Sequence, residues 1–436
     1  MKTKKMALIL GLVVGLAMGL VVSVQADLRF ADRNNDHWNS ALPVDQVREL
    51  ALVFGRIKEA YVDEVDDETL IGHAINGMLS GLDPHSTYLT PKDFEDLQVS
   101  TSGEFGGLGI EITSDGGFVR VVSPIDDTPA LRAGILAGDL ITHLNGQSIQ
   151  GWSLERAIGV MRGEPGTSID LTIVRAGEAP QVITIVRDII RVRSVRYEMI
   201  DPGFGYLRIS NFQARTAADV VSALDSLHEQ GPLKGLVLDL RNNPGGLLDA
   251  SIGVSDAFLT EGTITYTEGR LPNSNSYFSA TRRDPSKGVN LVVLINSGSA
   301  SASEIVAGAL QDNQRAVIMG DTSFGKGSVQ SILPITSDTR VKLTTARYFT
   351  PSGRSIQAKG IEPDVFVPMA KVETIETIGF READLGGSMR DRNQEPEAED
   401  QSLPPDLESD EAPLIERDYQ LHQALTMLKG MAVFRR

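Results

Sequence analysis

The sequence lacks cysteine altogether and contains only six histidines among its 436 residues. Without cysteine, disulfides, thiolate metal ligands and thiol nucleophiles are excluded. The histidines are scattered, and none lies at zinc-ligand spacing or in a G-x-S-x-G context, so we expect neither a metal nor a cofactor. Basic residues are also scarce, 41 against 58 acidic ones, and the net charge of −17 argues against nucleic acid or an anionic membrane as a partner.

The N-terminus carries the pattern of a secretory signal. Three lysines precede an apolar run from Met6 to Val24, and Val24-Gln25-Ala26 is an acceptable small-residue cleavage site. We therefore predict a signal peptide over residues 1–26 and an exported, periplasmic protein. The run is also long enough for an uncleaved inner-membrane anchor, which stays an alternative.

The remaining chain is too long for one hydrophobic core, so several domains are expected. Strand and helix patterns alternate in its centre, which predicts a layered α/β body. Changes in composition and periodicity predict a helical region over 27–102, a glycine-punctuated β-rich module over 103–188, the α/β body over 189–370, an acidic linker over 371–411 and a terminal helix over 412–436.

Both ends of the mature chain contain predicted helices with apolar stripes. The N-terminal stripe comprises Val47, Leu50, Ala51, Phe54, Ile57 and Tyr61, and a second helix is predicted at about Glu68 to Leu79. The C-terminal helix, about Pro413 to Phe434, carries Leu414, Leu421, Leu425, Leu428 and Met431 on one face. Because exposed stripes of this size usually mark interfaces, we predict a homo-oligomer, with the last helix docked on its own subunit or on a neighbour.

Two small-residue segments of the α/β body suggest a catalytic pair. The segment NSGSASASEI, Asn296–Ile305, follows a predicted buried strand and opens a helix, and FGKGSVQ, Phe324–Gln330, frames Lys326 between two glycines. A serine needs an adjacent base to become nucleophilic, and a desolvated lysine can supply one. The local sequence does not choose among Ser299, Ser301 and Ser303, and both segments are also typical of ordinary tight turns.

Two competing interpretations of these motifs are weaker. Gly320, Gly325 and Lys326 fit G-x-x-x-x-G-K, but Gly327 replaces the Ser or Thr of a phosphate-binding loop, and the residues that follow are β-like rather than helical. His85, in the run DPHSTY, has the residue type of a catalytic triad member, but a role in stabilising the turn is favoured.

These motifs, in their order along the chain, resemble the carboxyl-terminal processing peptidases, also called tail-specific proteases. The resemblance covers about 44–368 and includes LDLRNNPGGLL, Leu238–Leu248, together with SGLDPHSTYL near the N-terminus and ARYFTPSGRSIQAKGIEPD after the lysine. It implies a multidomain α/β protein with a crotonase-like α/β protease core, an inserted PDZ domain and helical N- and C-terminal regions.

The resemblance also implies roles for individual residues. Ser301 would be the nucleophile, Lys326 the general base and Gln330 the residue that orients the lysine. The oxyanion hole would use the N–H of Ala302 and an N–H from Gly245 or Gly246, where bare backbone can approach the tetrahedral oxygen. Glu304, in the first turn of the following helix, is interpreted as serving the helix dipole rather than the chemistry.

The β-rich module resembles a PDZ domain of the kind found in bacterial proteases. Its loop residues Gly107, Leu108, Gly109 and Ile110 would receive the terminal carboxylate of a peptide that adds as a strand. Leu154, Ile158 and Met161, on one face of a predicted helix, would line the groove for the last side chain. The alternative is that these glycines and apolar residues only build a small fold.

The sequence therefore predicts an exported, metal-free serine endopeptidase that recognises protein tails through its PDZ domain. By resemblance, its substrates would be cell-envelope proteins, with cell-wall hydrolases as one class, and a helical-repeat lipoprotein adaptor is a candidate partner. The alternative from another class is a PDZ scaffold with an inactive peptidase body. The intact set of Ser301, Lys326 and Gln330 argues against that alternative, because a scaffold has no need for them together.

Overall fold

The structure, a computed structural model, describes residues 43–175, 177–271, 275–370 and 418–434. The predicted signal peptide, the predicted acidic linker and the start of the predicted terminal helix lie outside these ranges. The chain divides into two compact units, Met1–Leu82 and Asp83–Arg436. Within the described ranges, no helix combines the length and apolar character needed to cross a membrane.

The described part of the first unit consists of two helices, α1 (Val44–Ala60) and α2 (Asp67–Ser80). The second begins where Asp66 accepts a hydrogen bond from the N–H of Thr69 at 2.8 Å, a stabilising N-cap. Both helices predicted here are confirmed. No residue of α1 is buried, so its apolar stripe is exposed in the single chain.

The second unit begins with a turn at Asp83, the short strand β1 (Thr87–Leu89) and the helix α3 (Pro91–Ser102). Thr90 and Asp93 cap the start of α3 reciprocally, each side chain accepting the other residue's backbone N–H. Gly103 ends the helix at a φ of 73°, a left-handed conformation that glycine adopts without strain.

A β-rich module follows α3 and has its own apolar core, which includes Ile141, Leu144 and Leu171. Its elements are β2 (Glu104–Gly107), β3 (Ile110–Asp115), β4 (Phe118–Pro124), α4 (Pro129–Arg132), β5 (Leu140–Leu144), β6 (Gln147–Ser148), α5 (Leu154–Met161), β7 (Ser168–Val174), β8 (Gln181–Val186) and β9 (Asp188–Arg191). The main sheet runs β3-β4-β5-β7-β8, with β6 beside β5, and β2 pairs with β9. Strand β3 therefore forms an edge of this sheet.

The α/β body is built on two sheets. Its elements are β10 (Val195–Asp201), β11 (Phe204–Ile209), α6 (Thr216–Glu229), β12 (Gly235–Asp239), α7 (Leu248–Asp256), β13 (Thr263–Gly269), β14 (Ser276–Ser279), β15 (Asn290–Ile295), α8 (Ala302–Asp312), β16 (Val317–Gly320), β17 (Ser328–Pro334), β18 (Arg340–Phe349) and β19 (Val365–Phe366). The first sheet runs β10-β11-β12-β15-β16-β19 and is parallel beyond β11. The second is antiparallel and runs β1-β18-β13-β14, with β17 also paired to β18.

The first sheet is covered on both faces, as the near-continuous apolar runs of its strands require. Every residue of β12 and β15 is buried. Leu236 and Leu238 contribute to the core that includes residues of α6, α7 and α8, whereas Val237, between them, faces the opposite side. This alternation confirms the predicted layered α/β architecture.

The opposite face of the sheet is covered by the C-terminal helix, α9 (Tyr419–Phe434). Its predicted apolar residues Leu421, Leu425 and Leu428 are buried in a core that includes Val237 and Val292. Leu414 lies outside the described residues. Of the two predicted modes of docking, the structure shows docking on the same chain, which removes this stripe as a free surface.

Candidate active site

The strand-to-helix turn between β15 and α8 holds Ser301 in a conformation that is rare for serine. Its φ is 56° and its ψ is −112°. A non-glycine residue in such a region costs about 1–3 kcal/mol and persists only where the surroundings enforce it. Ser301 is half-buried and lines a cavity of about 560 Å³ that Lys326 also lines. The turn therefore presents this side chain to a cleft of the size of a ligand site.

The structure distinguishes the three serines that the local sequence leaves equivalent. Ser299 is fully buried, and its hydroxyl donates to the carbonyl oxygen of Leu240 at 2.8 Å. Ser303 is fully buried as well and donates to the carbonyl oxygen of Asn243 at 3.0 Å. Both hydroxyls are therefore used to hold the turns together. The hydroxyl of Ser301 donates to no backbone carbonyl oxygen in the described part of the chain.

A second turn, after β12, is fastened directly to the serine turn. The carbonyl oxygen of Asn243 accepts the N–H of Ala300 at 2.9 Å, and its side-chain amide donates to Ile209 at 2.8 Å. Gly245 has a φ of 101°, and a Cβ at that position would lie 2.8 Å from the Cβ of Ser301. Only glycine permits this approach of backbone to the serine.

The two glycines predicted for the oxyanion hole differ in whether their N–H groups are already donated. The N–H of Gly245 is already donated to the side-chain oxygen of Asn243 at 2.9 Å. The N–H groups of Gly246 and Ala302 have no acceptor among the residues that the structure describes. Both residues line the cavity beside Ser301. The pair available to an oxyanion is therefore Gly246 with Ala302.

Lys326 lies half-buried in the loop before β17 and lines the same cavity as Ser301. Burial lowers the pKa of its ammonium group, and the positive charge of Lys342 lowers it further, while the negative charges of Glu304 and Asp83 act in the opposite direction. Its amine makes no hydrogen bond or ion pair with the described residues. A lysine with a lowered pKa and a free amine has the properties of a general base.

Gln330 also lines the cavity, but its hydrogen bonds go elsewhere. Its side-chain amide donates to the hydroxyl of Ser328 at 2.9 Å and to that of Thr344 at 3.3 Å. No hydrogen bond joins it to Lys326 within the described ranges. The structure thus places Gln330 at the site, and the prediction that it orients the lysine stays a prediction.

Glu304, interpreted from the sequence as a helix-dipole residue, lies in the first turn of α8 and forms a capping box with Ser301, and its carboxylate also reaches the lysine loop. Its carboxylate is fully buried and accepts four hydrogen bonds of 2.6–2.9 Å. One oxygen takes the N–H groups of Ser301 and Lys326, and the other takes the N–H of Gly325 and the hydroxyl of Ser323. A single carboxylate therefore fixes the backbone of the serine relative to the backbone of the lysine.

Further contacts fix the lysine loop. Gly325 has a φ of 91°, and a Cβ there would lie 3.0 Å from the backbone nitrogens of Lys359 and Gly360. The N–H of Gly327 donates to the side chain of Gln357 at 3.0 Å. Strand β17 begins directly after this loop, which confirms the predicted β structure and leaves no helix to hold phosphates. The glycines of this loop thus serve close packing of the backbone.

The turn before β1 also approaches the lysine. The carboxylate of Asp83 accepts the N–H of His85 at 2.8 Å and both the N–H and the hydroxyl of Ser86. Burial lowers the pKa of the His85 imidazole, and the charge of Lys326 lowers it further. Asp83, rather than the imidazole, stabilises the turn.

The predicted peptide loop lies next to the edge strand β3. Leu108 is buried, and Gly109 has a φ of 78°, with its carbonyl oxygen accepting the hydroxyl of Thr128 at 3.0 Å. The N–H groups of Leu108 and Gly109 form no hydrogen bond to any described residue. Gly107 ends β2, paired with Asp188, and Ile110 begins β3. An open strand edge that starts at two free N–H groups can accept a strand ending in a carboxylate.

The three apolar residues predicted for the groove differ in exposure. Leu154 and Ile158 on α5 are half-buried, whereas Met161 is 5% exposed and belongs to the module's core. Leu154 packs against the same core, together with Trp152. The structure therefore leaves Leu154 and Ile158 as the residues with surface to offer, and it makes Met161 a packing residue.

Three known families match successive parts of the chain. Residues 203–367 match peptidase family S41, and residues 120–175 match the PDZ domain family. Residues 17–92 match the family described as the activating protease CtpB N-terminal domain.

Individual relatives are similar over most of the chain. The carboxy-terminal-processing protease of Bartonella bacilliformis is 46% identical over 388 residues, covering 87% of each protein. The carboxyl-terminal-processing protease of Synechocystis is 40% identical over 315 residues, or 70% of this chain and 72% of that protein. The carboxy-terminal processing protease CtpA of Bacillus subtilis is 37% identical over 314 residues, or 72% of this chain and 67% of that protein.

Proposed function

The chain belongs to the carboxy-terminal-processing proteases of peptidase family S41, and from this premise we propose that Ser301 and Lys326 form its catalytic dyad. It is a serine-type peptidase with a PDZ domain. The observation that supports the dyad most strongly is that the hydroxyl of Ser301 is free to react. Of the three serines in the turn, it alone has a hydroxyl that donates to no backbone carbonyl oxygen, and it shares a cavity with a lysine of lowered pKa.

The chemistry follows from this arrangement. The neutral amine of Lys326 removes the proton from Ser301 Oγ, which attacks the carbonyl carbon of the scissile bond. The N–H groups of Gly246 and Ala302 donate to the resulting oxyanion. The ammonium of Lys326 then protonates the departing amine, leaving an acyl-enzyme. Water, deprotonated by the same lysine, attacks the ester, and the ammonium returns its proton to Oγ as the acid product leaves.

Tail recognition is assigned to the β-rich module. The N–H groups of Leu108 and Gly109 would hold the terminal carboxylate, the peptide would extend β3, and Leu154 with Ile158 would contact its last side chain. We further propose export to the periplasm, envelope proteins as substrates, cell-wall hydrolases among them, and a helical-repeat lipoprotein as adaptor. The inactive scaffold is not favoured, because the chain's relatives are proteases and every predicted catalytic group is present.

One cleavage experiment tests both halves of this function. A long, unstructured synthetic peptide is offered with a free or an amidated C-terminus to the wild-type protein and to Ser301→Ala. We expect the wild type to cleave the free peptide and to cleave the amidated peptide about tenfold less efficiently, mainly through KM, because charge-assisted hydrogen bonds to the carboxylate are lost.

Ser301→Ala should cleave neither peptide, but it should still bind the peptide with the free C-terminus more tightly than the amidated peptide. Cleavage by Ser301→Ala would overturn the assignment of the nucleophile. Equal efficiency on the two peptides would remove carboxylate recognition from the function. Carboxylate recognition is tested by amidating the peptide rather than by substituting Gly109, because a Cβ at Gly109 would lie 2.3 Å from the Cβ of Thr128 and disturb the fold.

Self-association is proposed through α1. Leu50 belongs to the predicted stripe with Val47 and Ile57 and is 50% exposed, and Val53, one turn from Leu50 and beside that stripe, is 51% exposed. We expect the double variant Leu50→Asp, Val53→Asp to have a monomer's mass in light scattering, whereas the wild type has a multiple of that mass. Glu49→Gln, at an exposed polar position of the same helix, is the control and should keep the wild-type mass. A wild type that is itself monomeric, or a double variant of unchanged mass, would contradict this proposal.

A further inference from the structure

A buried tyrosine stands beside the nucleophile with its hydroxyl unused. Tyr348, on β18, is 2% exposed and lines the same cavity as Ser301 and Lys326. Its hydroxyl has no hydrogen-bond partner among the described residues. An unpaired buried hydroxyl costs stability, so its retention next to a reacting group calls for a physical reason.

The position of this tyrosine is fixed by its backbone. The N–H of Tyr348 donates at 3.0 Å to the carbonyl oxygen of Gly327, the residue directly after the lysine. On its other side, Tyr348 is paired in register with Thr267 of β13. The backbone of Tyr348 is therefore held by the same loop that carries Lys326.

The charge state of the phenol follows from its surroundings. Burial raises the pKa of Tyr348 well above its usual value, and the negative charge of Glu304 raises it further, while the adjacent Ser301 hydroxyl has the opposite effect. The phenol is therefore protonated at neutral pH. It can donate a hydrogen bond, and it does not compete with Lys326 for the role of base.

We propose that Tyr348 is a third catalytic group, whose hydroxyl donates a hydrogen bond to Ser301 Oγ. This inference rests on the proposed function, in which Oγ is the attacking atom. Negative charge grows on Oγ when Lys326 removes its proton, and it grows again when Oγ leaves the acyl-enzyme. A donor aimed at that oxygen stabilises both stages, and the buried setting strengthens the effect.

The alternative role for Tyr348 is packing, and phenylalanine separates the two roles. Tyr348→Phe keeps the ring and removes only the hydroxyl. If the tyrosine only fills space, the variant should be as active as the wild type and at least as stable, because an unpaired buried polar group has been removed. If the hydroxyl serves Oγ, the variant should lose turnover without losing stability.

The test compares Tyr348→Phe with Tyr266→Phe, Ser301→Ala and Lys326→Ala in the full-length protein. Tyr266 is on the neighbouring strand β13 and stacks on Tyr277, so it controls for loss of a phenol from the same sheet. We expect Tyr348→Phe to lower kcat by about ten- to a hundredfold, with KM and Tm unchanged or Tm raised. The rate at which a fluorophosphonate labels Ser301 should fall by a similar factor.

The outcomes separate this inference from the function on which it rests. Wild-type kcat and labelling rate in Tyr348→Phe, with Ser301→Ala and Lys326→Ala inactive, would overturn the role of Tyr348 alone. A loss of kcat that matches a loss of folded protein would show that Tyr348 serves packing, and it would also overturn the catalytic role of its hydroxyl. Turnover by Ser301→Ala or Lys326→Ala would instead overturn the dyad.

Discussion

Lys326→Arg is expected to lower kcat by at least about a thousandfold, the effect of losing a general base, while the protein stays folded and binds peptide tails. Arginine keeps the positive charge but cannot lose its proton in a protein. A lysine that only formed an ion pair or held the loop would tolerate the change. The loss should therefore equal that of Lys326→Ala.

The measurement is kcat on the free peptide as a function of pH. In the wild type, activity should rise with pH as Lys326 loses its proton, with a midpoint below the ordinary lysine pKa of 10.5 because burial and the charge of Lys342 lower it. Lys359→Arg, an exposed position in the loop that packs against Gly325, is the control and should keep wild-type activity. Substantial turnover by Lys326→Arg would exclude this lysine as the base.

Glu304→Gln should impair catalysis almost as severely, although the side chains have nearly the same shape. All four groups around this carboxylate donate hydrogen bonds. An amide offers one accepting oxygen, so its NH₂ group must face at least one backbone N–H of the serine turn or the lysine loop. We expect about a hundredfold loss of kcat from misplacement of the reacting groups and a loss of about 2–3 kcal/mol in the free energy of unfolding.

Steady-state kinetics and denaturant unfolding on the same preparation measure both effects. KM for the free peptide should change little, because the β-rich module is untouched. Glu362→Gln, whose side chain is exposed, is the matched control for an exchange of charge. Wild-type kcat in Glu304→Gln would show that this carboxylate does not hold the serine and the lysine in position.

Much of the fold follows from local sequence. The apolar runs of β12 and β15, each followed by small residues and a helix, indicate buried parallel strands. The stripe of Leu421, Leu425 and Leu428 indicates a helix with one apolar face. Only the structure shows that this face packs against the sheet that contains Val237 of the same chain. Periodicity gives the face of a helix that is buried, but it contains no information about which surface covers that face.

The parts of the site that depend on residues adjacent in the sequence could be predicted from the sequence. Small residues around Ser301 and glycines around Lys326 mark both turns, but the choice among three serines depends on hydrogen bonds to Leu240 and Asn243, distant in sequence. The contacts of Glu304 to the lysine loop were not predicted for the same reason, since three of its four donors come from a loop about twenty residues away. An acidic residue in the first turn of a helix that begins at such a small-residue turn is the sequence signal that would have indicated these contacts.

Labelling with a fluorophosphonate, followed by mass spectrometry of the modified peptide, tests the dyad most directly. The account predicts a single adduct on Ser301, formed faster as pH rises and suppressed by at least about a hundredfold in Lys326→Arg, because the arginine cannot remove the proton of the hydroxyl. An adduct on another serine, or labelling of Ser301 at the wild-type rate in Lys326→Arg, would contradict it.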